Sequence, residues 1–185
     1  QGGSNNVAVL LKHVTMAYND ADDASGEGVN FYGEPEFNIY NSIVSLNGDQ
    51  QGTNTDMNFA GSYTENAINN IFGNTYYGNA VQNNQDNKEN KFAGAIKLDE
   101  EFSDRGGATP VLATNGASIA IDSANTTYAT THDIRDYSRN EDGGPDVGAY
   151  EFKQPTAMTV IADHDTIDIG EEVNLGVEYT PSDAD

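Results

Sequence analysis

Residues 7–19 (VAVLLKHVTMAYN) and 37–47 (FNIYNSIVSLN) can be laid over one another at a constant step, and this periodicity limits the fold more than any other feature. Placing Asn19 on Asn47 puts Leu11 on Ile39, His13 on Asn41, Thr15 on Ile43, Met16 on Val44 and Tyr18 on Leu46, a step of 47 − 19 = 28 residues. A third copy, Ile71-Phe72-Gly73-Asn74, follows at 74 − 47 = 27. Repeats of roughly 20–50 residues mark solenoids, in which each unit buries its apolar face against its neighbours. The runs begin continuously apolar and then alternate, which suits strands inside a parallel sheet better than a surface helix. Gly, Asn and Asp turns divide them, so each unit reads as one coil of a β-helix. Stacking in register would line up Asn19, Asn47 and Asn74 at a corner, where Asn accepts left-handed backbone and its amide bonds along the stack.

Residues 48–64 and 75–91 are long and polar, exceed ordinary connections, and read as insertions from the coils. Tyr63, Tyr76 and Tyr77 lie in or beside them among Asn, Gln and Asp. That mixture suits a neutral-sugar site, with an aromatic face for the apolar side of a pyranose and amides for its hydroxyls. The plainer alternative packs these tyrosines over the end of the stack. Among the basic residues, Lys12 and His13 are best placed for chemistry, on a coil strand; strand neighbours face opposite ways, so at most one is outward.

Eight Lys and Arg against 30 Asp and Glu give a formal charge of −22 at pH 7, a surface that repels nucleic acid and also polyanionic glycans unless cations bridge the contact. Two Gly-containing acidic turns have the oxygens to hold Ca²⁺: Asp20, Asp22, Asp23 and Glu27, and Glu141, Asp142 and Asp146. The alternative for both is a solvated acidic exterior. With no Cys there is neither a disulfide nor a thiolate nucleophile. No apolar run approaches the roughly 18–20 residues of a membrane span. Gln1 opens in Gly/Ser/Asn-rich turn sequence, which reads as a processed or excised piece.

Residues 98–152 differ in texture. Short apolar pieces alternate with Gly, Asp and Asn and read as short strands folded back on one another. Arg135 and Arg139 stand among many carboxylates, and the expectation is a buried pair between one of them and Asp122, Asp146 or Glu151. Four motifs follow in order: Asp104-x-Gly-Gly-x-Thr-Pro110, Gly116-x-Ser-x-Ala-Ile-Asp122, Asp133-x-Arg-x-x-x-Arg139 and Asp146-Val-Gly-Ala-Tyr-Glu151. This order resembles the choice-of-anchor Q domain, with Ile119, Ala124 and Asp136 departing from its usual Pro, Gly and Gly. The resemblance implies a segment that closes a right-handed parallel β-helix on a secreted or cell-surface bacterial protein, and it carries no catalytic residues over to this chain. After a linker at 153–155, the alternating strands of residues 156–185, around Ile169-Gly-Glu-Glu172 and ending in Thr180-Pro-Ser-Asp183, resemble the first half of a bacterial Ig-like domain of the group 2 type. A sandwich of that kind needs about seven strands.

The expected architecture is therefore all-β: a right-handed parallel β-helix over residues 1–152, closed by 98–152, then a partial Ig-like β-sandwich segment. The expected role is an extracellular bacterial surface or secreted module that binds a glycan or a partner surface, with Ca²⁺ as the one candidate cofactor. Self-association through 156–185 is expected because half a sandwich leaves apolar edges to pair. One alternative is a fragment of a polysaccharide lyase or glycoside hydrolase; another is a self-assembling filament subunit. Inverting hydrolases need carboxylates roughly 6.5–9.5 Å apart, and no motif for that or any other catalytic constellation stands in the sequence.

Overall fold

A computed structural model describes residues 8–20, 28–32, 36–48, 56–60, 64–76, 83–89, 91–139, 143–164, 166, 169–170 and 172–180. It divides into two compact units, Gln1–Glu151 and Phe152–Asp185. In chain order the first unit contains β1 (Ala8–Lys12), β2 (Thr15–Met16), β3 (Val29–Tyr32), β4 (Glu36–Tyr40), β5 (Ile43–Val44) and β6 (Met57–Ala60). Then come β7 (Thr64–Ile68), β8 (Ile71–Phe72), β9 (Thr75–Tyr76), β10 (Asn83–Gln85) and the four-residue helix α1 (Ala93–Ile96). The secondary structure described is thus almost wholly strand.

The strands form three small parallel sheets, ordered β1-β4-β7-β10, β2-β5-β8 and β3-β6-β9. Leu11 pairs with Ile39, Thr15 with Ile43 and Met16 with Val44, so each of these ladders joins residues 28 apart. The step from β4 to β7 is again 28, and only the last step along the first sheet, from β7 to β10, is shorter, as in the bond from Asn70 to Asn87, 17 residues on. Residues 48–64 and 75–91 are therefore more than insertions: they contain β6, β9 and β10. These strands are short; β6 sends Met57 into the core, while β9 and β10 hold to their neighbours by ladder pairing, and the Asn58 side chain donates to that of Asn30 at 3.2 Å.

One residue ends each strand of the first sheet in left-handed backbone: His13 (φ 48°), Asn41 (φ 50°), Asn69 (φ 57°) and Asp86 (φ 56°). This conformation crowds Cβ against the next carbonyl, and Asn and Asp tolerate it best. The turn delivers the chain into the second sheet two residues later. Beside it Ser42, Asn70 and Asn87 form a second polar column: Asn70 Oδ1 accepts the Ser42 amide at 2.9 Å, and Asn87 Oδ1 accepts the Asn70 amide at 2.7 Å.

The expected column of Asn19, Asn47 and Asn74 is corrected by one interposed carboxylate. Asn19 donates to Asn47 Oδ1 at 2.8 Å, and Asn47 donates in turn to Asp56 Oδ1 at 2.8 Å. Asp56 Oδ2 then accepts the Asn74 amide at 2.6 Å. Because Ile43 pairs with Ile71, Asn74 falls one residue short of the Asn47 register, and Asp56 spans the misfit. Burial raises the Asp56 pKa, and the bonds from Asn47 and Asn74 oppose that rise.

All three sheets contribute to one core: Phe37, Ile39 and Ala67 from the first, Val44 and Phe72 from the second, Met57 from the third. A second cluster joins Ile43 and Ile71, on the opposite face of the second sheet, to Ile96, Leu98, Leu112, Ala120 and Val147. Residues 92–151 thus lie along the side of the repeats. Gly148 donates to the Asn41 carbonyl at 2.8 Å, Ala149 to Thr15 Oγ1 at 3.0 Å, and the Ser123 carbonyl accepts from Asn69 at 2.7 Å. Each contact falls on a different repeat. A Cβ on Gly148 (φ 104°) would stand 2.8 Å from Ile43 Cδ1 and 2.9 Å from Thr15 Oγ1, so only glycine permits this approach. In place of strand ladders this segment has isolated antiparallel bridges, Leu98 with Thr114, Ser103 with Val111 and His132 with Ser138.

The second unit is an antiparallel hairpin of β11 (Ala157–Ala162) and β12 (Leu175–Thr180). Register and alternation put Met158, Val160, Leu175, Val177 and Tyr179 on one face. All five are exposed.

Candidate functional site

The outer face of the first sheet carries the residues that alternate with its core positions. In β4, Phe37 and Ile39 point inward, so Glu36, Asn38 and Tyr40 point outward. A chain of bonds crosses strands here: Asn66 donates to Asn38 Oδ1 at 2.6 Å, Tyr40 Oη to the same oxygen at 3.3 Å, and Asn38 to Glu36 Oε1 at 3.3 Å. Tyr128 arrives from the side segment and stacks on Tyr40, ring centroids 4.1 Å apart and planes 4° from parallel. The ammonium of Lys12, exposed on β1, lies 5.8 Å from the Tyr40 centroid. Burial, Tyr128 and Glu36 together raise the Tyr40 pKa.

Lys12 also forms one wall of a cleft of about 340 Å³ between the first corner and the side segment, lined further by His13, Thr15, Thr130, His132, Asp133 and Arg139. Opposite to the exposed Lys12, His13 is buried, 6% exposed. The Asn41 amide lies 3.2 Å from His13 Nε2. Asn41 Oδ1 accepts from Asn125 and Asn69, which fixes its nitrogen as the group facing His13, so Nε2 accepts and Nδ1 carries the proton. Nδ1 has no hydrogen-bond partner. Burial and then Arg139 hold the His13 pKa down to about 4, against the nearby carbonyls of Asp146 and Gly148, which favour the charged ring.

Behind the cleft lies a buried ionic cluster. Arg139 Nη1 donates to Glu151 Oε2 at 3.0 Å, with both side chains 1% exposed, and its remaining donors reach the carbonyls of His132, Asp146, Gly148 and Ala149. Arg135 pairs with Asp133 at 2.8 Å, a partner outside the expected set, and its guanidinium stands 3.9 Å from the Tyr150 centroid and 4.4 Å from that of Tyr137. Asp122 and Asp146 meet through the main chain, the Asp122 amide donating to Asp146 Oδ1 at 2.7 Å. Asp133 accepts four bonds, from the amides of Arg135, Tyr137 and Glu151 and from Arg135 Nε. That carboxylate is saturated and holds structure; it is not placed to move a proton.

Of the expected sugar-site tyrosines, Tyr76 ends β9 and its backbone pairs with Asn58, while Tyr63 and Tyr77 lie outside the described residues. Asp22, Asp23, Glu27, Glu141 and Asp142 also lie outside them; Asp20 is exposed and Asp146 belongs to the ionic cluster. Among the described residues no three His, Cys, Asp or Glu side chains gather in a way that could hold a metal ion. No helix among them is long and apolar enough to cross a membrane. Tyr40 and Tyr128 went unassigned because 88 residues of chain separate them (128 − 40). The available signal was the outward register position that Tyr40 shares with Lys12. Comparison of the chain with protein-family models, curated proteins and solved structures returned no match.

Proposed function

We propose that this chain is a neutral-glycan-binding module built on a right-handed parallel β-helix and carried on the outside of a bacterial cell. The three parallel sheets, their constant strand order and their shared core support the β-helix reading. Residues 98–152 are the choice-of-anchor Q segment in this proposal, and the β11–β12 hairpin opens an Ig-like domain. The observation that carries the binding function is the Tyr40–Tyr128 stack beside the Glu36–Asn38–Asn66 chain of hydrogen bonds. Aromatic edges and faces receive the C–H side of a pyranose, and amides and carboxylates receive its hydroxyls.

Binding is favoured over hydrolysis or elimination because the carboxylate lining the cleft, Asp133, is fully committed to the fold. The described outward positions of the first sheet also hold no row of acids: Glu36 stands among Ala8, Leu10, Lys12, Asn38, Tyr40, Asn66, Ile68 and Gln85. Calorimetric titration with neutral oligosaccharides of gluco, galacto, manno and xylo configuration tests the proposal. At least one series should bind, and Tyr128→Ala should weaken it roughly 10-fold, given about 1.5 kcal/mol or more for apolar contact over a whole aromatic side chain. Binding unchanged in Tyr128→Ala removes this site from consideration.

A further inference from the structure

A second, smaller cavity of about 70 Å³ opens beside the cleft, lined by Phe102, Pro110, Val111 and Leu112 with Thr15, Ile134 and Ala149. The last three residues also line the cleft, so the two spaces share one wall. Phe102 and Ile134 are large apolar side chains, 71% and 52% exposed at the rim of the small cavity. An isolated cavity of this kind reads as imperfect packing. One that opens beside a polar cleft, with apolar side chains at its rim, instead offers an amphipathic ligand a place for its apolar group.

Size and charge narrow that ligand. A water needs roughly 10–15 Å³ of such space, so the small cavity takes a group of a few heavy atoms, and the cleft takes a ring. Lys12 and Arg139 stand against Asp133 in the cleft, while the whole chain carries −22. Neither a polyanion nor a cation is selected, and a neutral ligand meets no penalty. Thr15 Oγ1 accepts the Ala149 amide at 3.0 Å, which leaves its hydroxyl hydrogen to donate at the shared wall. A group with a carbonyl oxygen next to a methyl fits both demands.

We propose that cleft and cavity form one subsite for a neutral N-acetylated sugar, a second ring of a chain whose first ring lies on the Tyr40–Tyr128 stack across Lys12, with this ring in the cleft, its acetamido carbonyl on Thr15 and its methyl in the apolar cavity. This rests on the glycan-binding reading above and specifies which sugars are preferred. The test titrates the intact chain with matched pairs from the oligosaccharide series, each neutral sugar beside its 2-acetamido counterpart, for example cellotriose beside chitotriose. The acetylated member should bind roughly 10–200-fold more tightly, the range for one small apolar group in a fitted pocket. Phe102→Ala, a change at an exposed position that lines the small cavity and not the cleft, should erase that preference and leave the unacetylated sugar's affinity intact. Equal affinity within every pair overturns the inference while leaving the glycan reading in place. A preference that survives Phe102→Ala also overturns it. Failure of every sugar in both halves of the panel overturns the inference and the glycan reading together.

Discussion

His13 makes the stability of this fold sensitive to pH in a calculable way. The ring is 6% exposed, accepts from Asn41 and has the Arg139 charge nearby, so the folded state takes it neutral, with a pKa of about 4 against an ordinary 6.5. As pH falls the unfolded chain binds the proton first. The contribution is therefore complete above pH 6.5, declines between 6.5 and 4, and is gone below. A shift of about 2.5 units at 1.36 kcal/mol each corresponds to about 3 kcal/mol across that window. His13→Asn removes the titration, keeps a residue suited to left-handed backbone, and supplies Oδ1 to accept from Asn41. Urea unfolding followed by circular dichroism at half-unit steps from pH 8 to 4 should give a variant whose stability falls about 3 kcal/mol less than that of the native chain. Every other group is common to both proteins and cancels in the difference. Parallel profiles, separated by a constant offset, would refute a buried neutral His13.

Arg139→Ala should cost about 3–5 kcal/mol in the same unfolding assay, because it strands the Glu151 carboxylate and four carbonyls in a site 1% exposed; a loss under 1 kcal/mol would mean the cluster is solvated. Asp56→Ala leaves the Asn47 amide, its side-chain amide and the Asn74 amide without their acceptor, and should cost at least about 1–3 kcal/mol at pH 7, with an unchanged melting curve as the contrary result. The apolar face of the β11–β12 hairpin should drive self-association: sedimentation should show concentration-dependent oligomers that Val160→Lys with Val177→Asp disperses, and a native chain that stays monomeric at high concentration would count against it.

The 28-residue register was legible because stacking places like residues over like, and Leu11 over Ile39 or Met16 over Val44 needs no knowledge of the rest of the fold. Strands β6, β9 and β10 were not, since two to four residues inside long polar stretches are too few to show a period, even where β6 alternates Met57 and Phe59. The lateral placement of residues 92–151 leaves a trace in the sequence of the second sheet. Ile43-Val44 and Ile71-Phe72 are consecutive apolar pairs in two-residue strands, and a strand apolar on both faces must be covered on both. The ionic cluster was half visible: with eight basic residues in the chain, Arg135 and Arg139 had to find acids, but choosing Asp133 over Asp122 for Arg135 depends on a tight local turn. The cleft and the Tyr40–Tyr128 stack join residues far apart in sequence, and pattern within one segment cannot reach across that distance.

The bridge that Asp56 makes between Asn47 and Asn74 bears on how such a chain changes over generations. Twelve residues separate the second-sheet strand from the third-sheet strand in the first two repeats (17–28 and 45–56), whereas in the third repeat two residues, 73–74, suffice. Asn47 and Asp56 close the neck of the second excursion, and the same carboxylate locks onto the direct path beneath it. Long and short routes thus rejoin the third sheet at the same point, and every ladder beyond is indifferent to which was taken. Duplication, deletion or replacement at this corner leaves the paired strands untouched. The corner is a permissive locus, where new sequence can be tried without the paired strands being reselected.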